Sequence, residues 1–143
     1  MLFENLGGTN GFAQHRELPG TAGSTSSDLA IVDVTGDSLA DVVFSRYSPL
    51  ELVYSENLFG NGTFADAPTV ISAAFSSNES ENNLILAEDV TGDARIDVVA
   101  SVLDDSFDNT LALFTNADEV RDFASPAILI FGDLCPLFPP TKV

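Results

Sequence analysis

A nine-residue loop rich in Asp that occurs twice constrains this sequence more than any other feature. The first copy runs from Asp33 to Asp41, and the second runs from Asp89 to Asp97, 56 residues later. When the two residues after each copy are included, eight of eleven positions are identical, and apolar runs flank both copies. Because a repeated pattern with repeated flanks marks a structural repeat, we expect an array of similar units.

A second signature repeats in step with the Asp loop. An Asn precedes a Phe-Ala pair by seven residues at three places, and each Asn follows a short apolar or aromatic run. The first two copies enclose a turn rich in Gly and Asn, which is a composition typical of hairpin turns. The sequence therefore predicts an internal duplication, with these Asn and Phe pairs as its second landmark: Asn5 with Phe12, Asn57 with Phe64, and Asn116 with Phe123.

The apolar runs predict an all-β fold, because they are short and rich in Val, Ile, Leu and Phe. Runs such as Leu29–Val32 are continuous rather than alternating, which favours strands covered on both faces. The repeat units are expected at about 1–50, 51–109 and 110–131, the last being partial, followed by a Pro-rich tail at 132–143. We expect strands near residues 29–34, 40–46, 51–56, 63–65, 69–74, 84–90, 96–102, 110–115 and 126–131.

The charge balance excludes some partners and favours others. The chain carries 22 acidic residues against five Lys and Arg, a formal net charge of −17. DNA, RNA and anionic membranes need a basic surface, so we expect no nucleic-acid partner, and membrane attachment only through parts outside this chain. Divalent cations are the natural counter-charge for such a surface. Cys135 is the only cysteine, so the chain cannot form an internal disulfide.

The Asp loops are candidate calcium sites. Calcium takes six to eight oxygen ligands at about 2.3–2.6 Å, and alternate residues of a tight loop can turn inward together. A turn capped by Asp without any metal is the alternative, and retention of all the acids through a duplication favours cation binding. The first predicted ligand set is Asp33, Thr35, Asp37, the carbonyl oxygen of Leu39, and Asp41; the second is Asp89, Thr91, Asp93, the carbonyl oxygen of Arg95, and Asp97.

No residue pattern predicts catalysis. His15 stands alone without a Ser or Cys partner, and Cys135 lies in the Pro-rich tail. The acids at Asp104, Asp105 and Asp108 are best interpreted as a solvated turn. Glycosidase chemistry needs two carboxylates about 5–10 Å apart across a substrate, and nothing singles out such a pair. We therefore expect a protein that is not an enzyme.

The Asp loop resembles the Asp-x-Asp/Asn-x-Asp-Gly-x-x-Asp motif of FG-GAP and VCBS repeats, which occur in integrin α-subunit propellers and in many microbial and algal surface proteins. Tyr54 and the segment from Asn57 to Phe64 resemble the aromatic–Glu–Asn–Gly-rich–Phe segment of those repeats. The resemblance implies that each repeat forms a four-stranded β-propeller blade with calcium in the Asp loop. It further implies about two and a half blades, forming an open array or part of a larger propeller.

Two departures from that motif predict weak calcium binding. The third position is Thr in both copies, where the family often has Asp or Asn. The sixth position is Ser38 and Ala94, where Gly is usual. If this position needs a positive φ angle, a residue with a side chain costs about 1 kcal/mol. We expect dissociation constants on the order of 0.1–1 mM, as in extracellular modules.

These observations together predict a non-catalytic calcium-binding repeat module of a secreted or cell-surface protein. The resemblance implies a role in adhesion or in binding a protein or carbohydrate ligand, with further repeats in cis or oligomerisation completing the array. Two alternatives stay open. One is the propeller part of a polysaccharide-active enzyme, and the other is a structural spacer whose loops have lost metal.

Overall fold

The computed structural model describes residues 2–26, 28–47, 50–73, 84–103, 109–117, 123–124 and 127–129. These residues form two four-stranded antiparallel sheets. No helix occurs among them, so the predicted all-β class is confirmed. The acids at 104, 105 and 108, the tail at 132–143 and half of the strand expected at 126–131 lie outside the described residues. Within the described ranges, no helix is long and apolar enough to cross a membrane.

Each sheet is a simple meander in which neighbouring strands along the chain are also neighbours in space. Sheet 1 contains β1 (Leu29–Val32), β2 (Asp41–Tyr47), β3 (Leu50–Ser55) and β4 (Thr69–Ser72), in that order. Sheet 2 contains β5 (Ile85–Glu88), β6 (Asp97–Leu103), β7 (Asn109–Phe114) and β8 (Ala127–Leu129), also in order. Each sheet thus groups one Asp loop with the Asn signature that follows it.

The two sheets repeat one another in register as well as in order. The first Asp loop joins β1 to β2 with Val32 opposite Asp41, and the second joins β5 to β6 with Glu88 opposite Asp97. All three Asn signatures close as isolated β-bridges between the Asn and the Phe. The strand expected at 63–65 reduces to the single bridge between Asn57 and Phe64. The second signature of the sequence is therefore a turn closed by one residue pair.

The sheets share one hydrophobic core because they pack face against face. We call the face of sheet 1 that carries Val43, Leu52 and Tyr54 its back face, and the opposite face, with Val42 and Phe44, its front face. The front and back faces of sheet 2 are named in the same way, from its residues at the register positions that match those of sheet 1. The back face of sheet 1 packs against the front face of sheet 2, and the buried core residues from the two sheets are Val34, Val43, Leu52, Tyr54, Ile85, Val98, Ala100, Ala112 and Phe114.

The N-terminal segment covers part of the front face of sheet 1. Leu18 packs against the small cluster formed by Val42, Phe44 and Val53. The Arg46 guanidinium donates a hydrogen bond to the Gly20 carbonyl oxygen at 3.2 Å, which ties this segment to β2. The segment therefore lies on the side of sheet 1 that faces away from sheet 2.

Candidate functional site

The first carboxylate of each Asp loop lies at the centre of the turn. Asp33 Oδ1 accepts hydrogen bonds from the N–H groups of Gly36 at 2.7 Å and Asp37 at 3.1 Å, and Asp33 Oδ2 accepts one from the Ser38 N–H at 2.7 Å. This arrangement folds the loop around one side chain. The second loop repeats it, with Asp89 accepting from Gly92 at 2.7 Å, Asp93 at 3.1 Å and Ala94 at 2.9 Å.

The ninth carboxylate is buried and fastens the loop to the sheet. Asp41 is 0% exposed; its Oδ2 accepts from the N–H groups of Val34 at 3.1 Å and Thr35 at 3.2 Å, and its Oδ1 accepts from the Asn57 N–H at 2.8 Å. Burial raises the pKa of the Asp41 carboxyl above its ordinary value of 3.8, against the opposing effect of these donors. Asp41 therefore joins the Asp loop to the Asn signature within one sheet.

Asp97 does the same in sheet 2. It is 0% exposed and accepts from the N–H groups of Val90 and Thr91, each at 3.0 Å, and of Asn116, also at 3.0 Å. Because the two loops use the same donors at the same positions, this network belongs to the repeat itself and is not an accident of one copy.

The fifth carboxylate lies on the loop surface, and here the two copies differ. Asp37 Oδ1 accepts from the Leu39 N–H at 2.8 Å. Asp93 Oδ1 likewise accepts from the Arg95 N–H at 3.0 Å, but its Oδ2 also pairs with the Arg95 guanidinium, with 3.1 Å between Nε and Oδ2. The hydrogen bond from the Arg95 N–H, together with the guanidinium, lowers the pKa of the Asp93 carboxyl. The second loop thus contains an internal positive charge that the first lacks.

The residue at the sixth loop position has a backbone conformation that is costly for any residue other than Gly. Ser38 has a φ of 69° and Ala94 a φ of 67°, and they are the only described residues other than Gly with positive φ. This left-handed region places Cβ too close to the following carbonyl oxygen, at a cost of roughly 1–2 kcal/mol. Both loops therefore hold backbone strain at the sixth position, where Gly would fit without strain.

We expect Ser38→Gly and Ala94→Gly each to raise the free energy of unfolding by about 0.5–1 kcal/mol, because Gly adopts this φ without strain. Urea denaturation monitored by circular dichroism measures the change. Ala87→Gly in β5 is the matched control and should destabilise the protein by a similar amount. Equal destabilisation by all three variants would show that the sixth position carries no strain.

Two Asn side chains belong to these sites, although sequence reasoning gave them no role there. Asn57 Nδ2 donates to the Ala40 carbonyl oxygen at 3.1 Å, beside the end of the first loop. Asn116 Nδ2 donates to the Val34 carbonyl oxygen at 3.1 Å, which links sheet 2 to the first loop in sheet 1. Their fixed distance from Phe was visible in the sequence, but their contact with the Asp loops depends on where β3 and β7 end.

The structure brings the predicted ligands of each loop onto one short turn but does not gather them around a common point. Among the described residues, no group of three or more His, Cys, Asp or Glu side chains is close enough together to hold a metal ion. Asp41 and Asp97 face backbone N–H groups inside the protein, whereas Asp37 and Asp93 lie at the surface. The Thr35 hydroxyl is buried beside Asp41, and it opposes the rise in the pKa of that carboxyl.

The donor chemistry of these loops suits a hard cation. An ionised carboxylate offers about four lone-pair sites, so Asp33 keeps acceptor capacity beyond its three N–H donors. The buried hydroxyl oxygen of Thr35 is a further neutral oxygen close to these carboxylates, and calcium takes six to eight oxygen ligands. The two loops therefore hold oxygen ligands of the kind that calcium needs.

Comparison with known proteins finds no family model, no curated protein and no solved structure that matches this chain. The resemblance to FG-GAP and VCBS repeats therefore stays a prediction that rests on the two Asp loops and the Asn signatures.

Proposed function

We propose that this chain is a non-catalytic calcium-binding β-repeat module, each sheet being one blade of a propeller-like array. One observation carries the proposal. The same set of loop acids is retained twice, and both copies adopt the same hydrogen-bonded turn around the first Asp. In a chain of net charge −17, carboxylates kept together on a short turn repel one another unless a cation offsets them.

The ligands are the two sets predicted from the sequence. In the first loop these are Asp33, Thr35, Asp37, the Leu39 carbonyl oxygen and Asp41, and the second loop offers the equivalent residues. When bound, calcium supplies positive charge at the turn. The chain's own contribution is to hold the turn, because the first Asp organises the loop backbone and the ninth Asp fixes it to the sheet. The result is a stiffer link between the first two strands of each blade.

The wider role follows from the family resemblance. We propose that such blades present a surface for adhesion, or for a protein or carbohydrate ligand, in a secreted or cell-surface protein. Extracellular calcium is present at millimolar levels in many settings, which matches sites with dissociation constants on the order of 0.1–1 mM. The loops would then be filled outside cells.

A specific observation also favours a second candidate, a structural spacer without metal. The first and ninth carboxylates of both loops are already bonded to backbone N–H groups, so the turns hold together with no cation. In this alternative the acids serve only as turn caps, and calcium has no effect on stability beyond that of ionic strength.

Thermal denaturation with added calcium separates the two candidates. At about 10 mM calcium, each site should contribute about 1.4–2.7 kcal/mol, and two sites together should raise the melting temperature by about 10 °C. The double variant Asp37→Asn with Asp93→Asn should remove most of this shift. Each Asn keeps a side-chain oxygen that accepts the backbone N–H of its loop, but it lacks the negative charge of the carboxylate. Magnesium at equal ionic strength is the control. An equal shift in melting temperature with calcium and magnesium would favour the spacer, and so would an equal calcium-induced shift in the wild type and the double variant.

The two loops should differ in calcium affinity because of Arg95. Its guanidinium pairs with Asp93 and competes with an incoming cation, whereas the first loop has Leu39 at the equivalent position. We expect Arg95→Leu to tighten the second site by about threefold, because an exposed charge pair is weak. The reciprocal variant Leu39→Arg should weaken the first site similarly. Isothermal titration calorimetry measures both, and unchanged affinities would show that the ion pair does not oppose calcium.

A further inference from the structure

An apolar patch on the front face of sheet 1 is exposed, although its equivalent in sheet 2 is covered. Leu29 is 54% exposed and Ile31 is 69% exposed, whereas Ile85, which occupies the position of Leu29 in the second repeat, is only 6% exposed. The register confirms the equivalence, since Leu29 lies opposite Phe44 and Ile85 lies opposite Ala100. The difference arises because the back face of sheet 1 covers Ile85. We call Leu29 and Ile31 the β1 patch.

A second apolar patch, at the β5 side of sheet 2, is exposed, whereas its equivalent in sheet 1 is covered. Leu86 is 48% exposed and Val90 is 50% exposed. Their equivalents in the first repeat are Ala30, which packs against the shared core, and Val34, which is 3% exposed within it. These two residues are covered by sheet 2. We call Leu86 and Val90 the β5 patch.

We propose that the β1 patch of one copy of this chain binds the β5 patch of a second copy. The occupant follows from the interface that the chain already contains, in which β5 lies against β1 and β2. In that interface within the chain, the residues of sheet 2 that correspond to the β1 patch pack against the residues of sheet 1 that correspond to the β5 patch. Each exposed patch is thus one half of a sheet-to-sheet contact whose other half is exposed elsewhere on the same chain.

The contact between copies is confined to the first strands of the sheets. The N-terminal segment occupies part of the front face of sheet 1, where Leu18 packs on the cluster of Val42, Phe44 and Val53. Between the N-terminal segment and β1 lies a cavity of about 500 Å³, whose apolar lining includes Leu29 and Val42 and whose other wall is formed by residues of the segment itself.

A hydrogen bond supports the same pairing. Within the chain, Asn116 Nδ2 crosses between the sheets to the Val34 carbonyl oxygen. The equivalent residues for a contact between copies are Asn57 and Val90. In the single chain Asn57 Nδ2 donates to Ala40 in its own sheet instead. Association therefore gives Asn57 an alternative acceptor on the second copy.

The proposed association is heterologous, so it leads to rings or to open filaments rather than to a symmetric pair. The net charge of −17 opposes it at low ionic strength, where charges on different copies are screened least. This proposal does not rest on calcium binding, since both patches are apolar and contain none of the proposed ligands, although Val90 lies between two of them in the second loop.

Complementation between two variants tests the proposal. Wild-type protein in 0.5 M NaCl should show concentration-dependent association by sedimentation velocity. Ile31→Glu should abolish association, and Leu86→Glu should abolish it separately, because each destroys one half of the contact. An equimolar mixture of the two variants should form a one-to-one pair, since each variant keeps the half that the other has lost.

Both variants should stay folded, because the substituted side chains are 69% and 48% exposed, and circular dichroism checks this. Phe59→Glu, at a turn residue that is 70% exposed and outside both patches, is the control and should associate like the wild type. A wild-type chain that stays monomeric at its highest soluble concentration would overturn the proposal. A dimer that only one variant disrupts, or two variants that do not rescue each other, would overturn the head-to-tail pairing.

Discussion

We expect Asp41→Ala and Asp97→Ala each to lower the free energy of unfolding by about 3–5 kcal/mol. Each substitution leaves three N–H groups without an acceptor, and each such group costs about 1–3 kcal/mol when buried. Removal of a buried carboxylate recovers part of this cost, since burial also disfavours the charge, as the raised pKa of Asp41 indicates. The net loss would be a large fraction of the stability of a small domain.

Urea denaturation of each variant in calcium-free buffer isolates this structural effect from metal binding. Asp66→Ala, which removes an exposed acid from the same sheet region, is the matched control and should change stability by no more than about 0.5 kcal/mol. A loss below about 1 kcal/mol in both Asp41 and Asp97 variants would mean that the ninth carboxylate does not organise the loops.

The second large effect is expected from Phe114→Ala. Phe114 is 1% exposed and lies in the core that sheet 2 shares with sheet 1. Truncation of a buried Phe creates a cavity and typically costs about 3–5 kcal/mol. Because the core belongs to both sheets, the loss should lower the stability of the two repeats together and not of sheet 2 alone.

Hydrogen exchange measured by mass spectrometry shows which sheet loses protection. Protection should fall in both β2 and β6 for Phe114→Ala, whereas Phe12→Ala, at a residue that is 66% exposed, should leave both unchanged. If only sheet 2 loses protection, the sheets fold as independent units, and the shared core contributes little to sheet 1.

Much of this fold could be predicted from the sequence because its signals are local. Short runs of β-branched and aliphatic residues marked the strands, and the repeated loop indicated that the strands form similar units. The three Asn and Phe pairs form bridges at the same spacing, and in the first two a Gly-rich turn sets the register. The expected strand at 63–65 was too long, since one bridge is all that the pairing with Asn57 supports.

The different roles of the loop acids could not be predicted, because each role depends on the direction in which the side chain points. An Asp in a tight turn can bind a cation or accept backbone N–H groups, and the residue type is the same in both cases. Only the three-dimensional positions show that Asp41 is an interior acceptor while Asp37 lies at the surface. The pairing of Arg95 with Asp93 was equally hidden, since the sequence reasoning gave Arg95 only a carbonyl ligand role.

At the sixth loop position, the structure fulfils the condition on which the predicted strain depended. The missing Gly predicted strain only if the backbone there has positive φ, and Ser38 and Ala94 both have it. Because the strain is the same in the two copies, it lowers the stability of both turns alike. Calcium affinity and loop stability should therefore both rise in the Gly variants.

We propose that each Asp loop binds one calcium ion, and equilibrium dialysis with radioactive calcium counts the bound ions. We expect two ions per wild-type chain at saturation. Asp37→Asn and Asp93→Asn should each leave one ion per chain, and the double variant should leave none. Fewer than one ion bound per wild-type chain, or binding that the double variant retains, would contradict the claim.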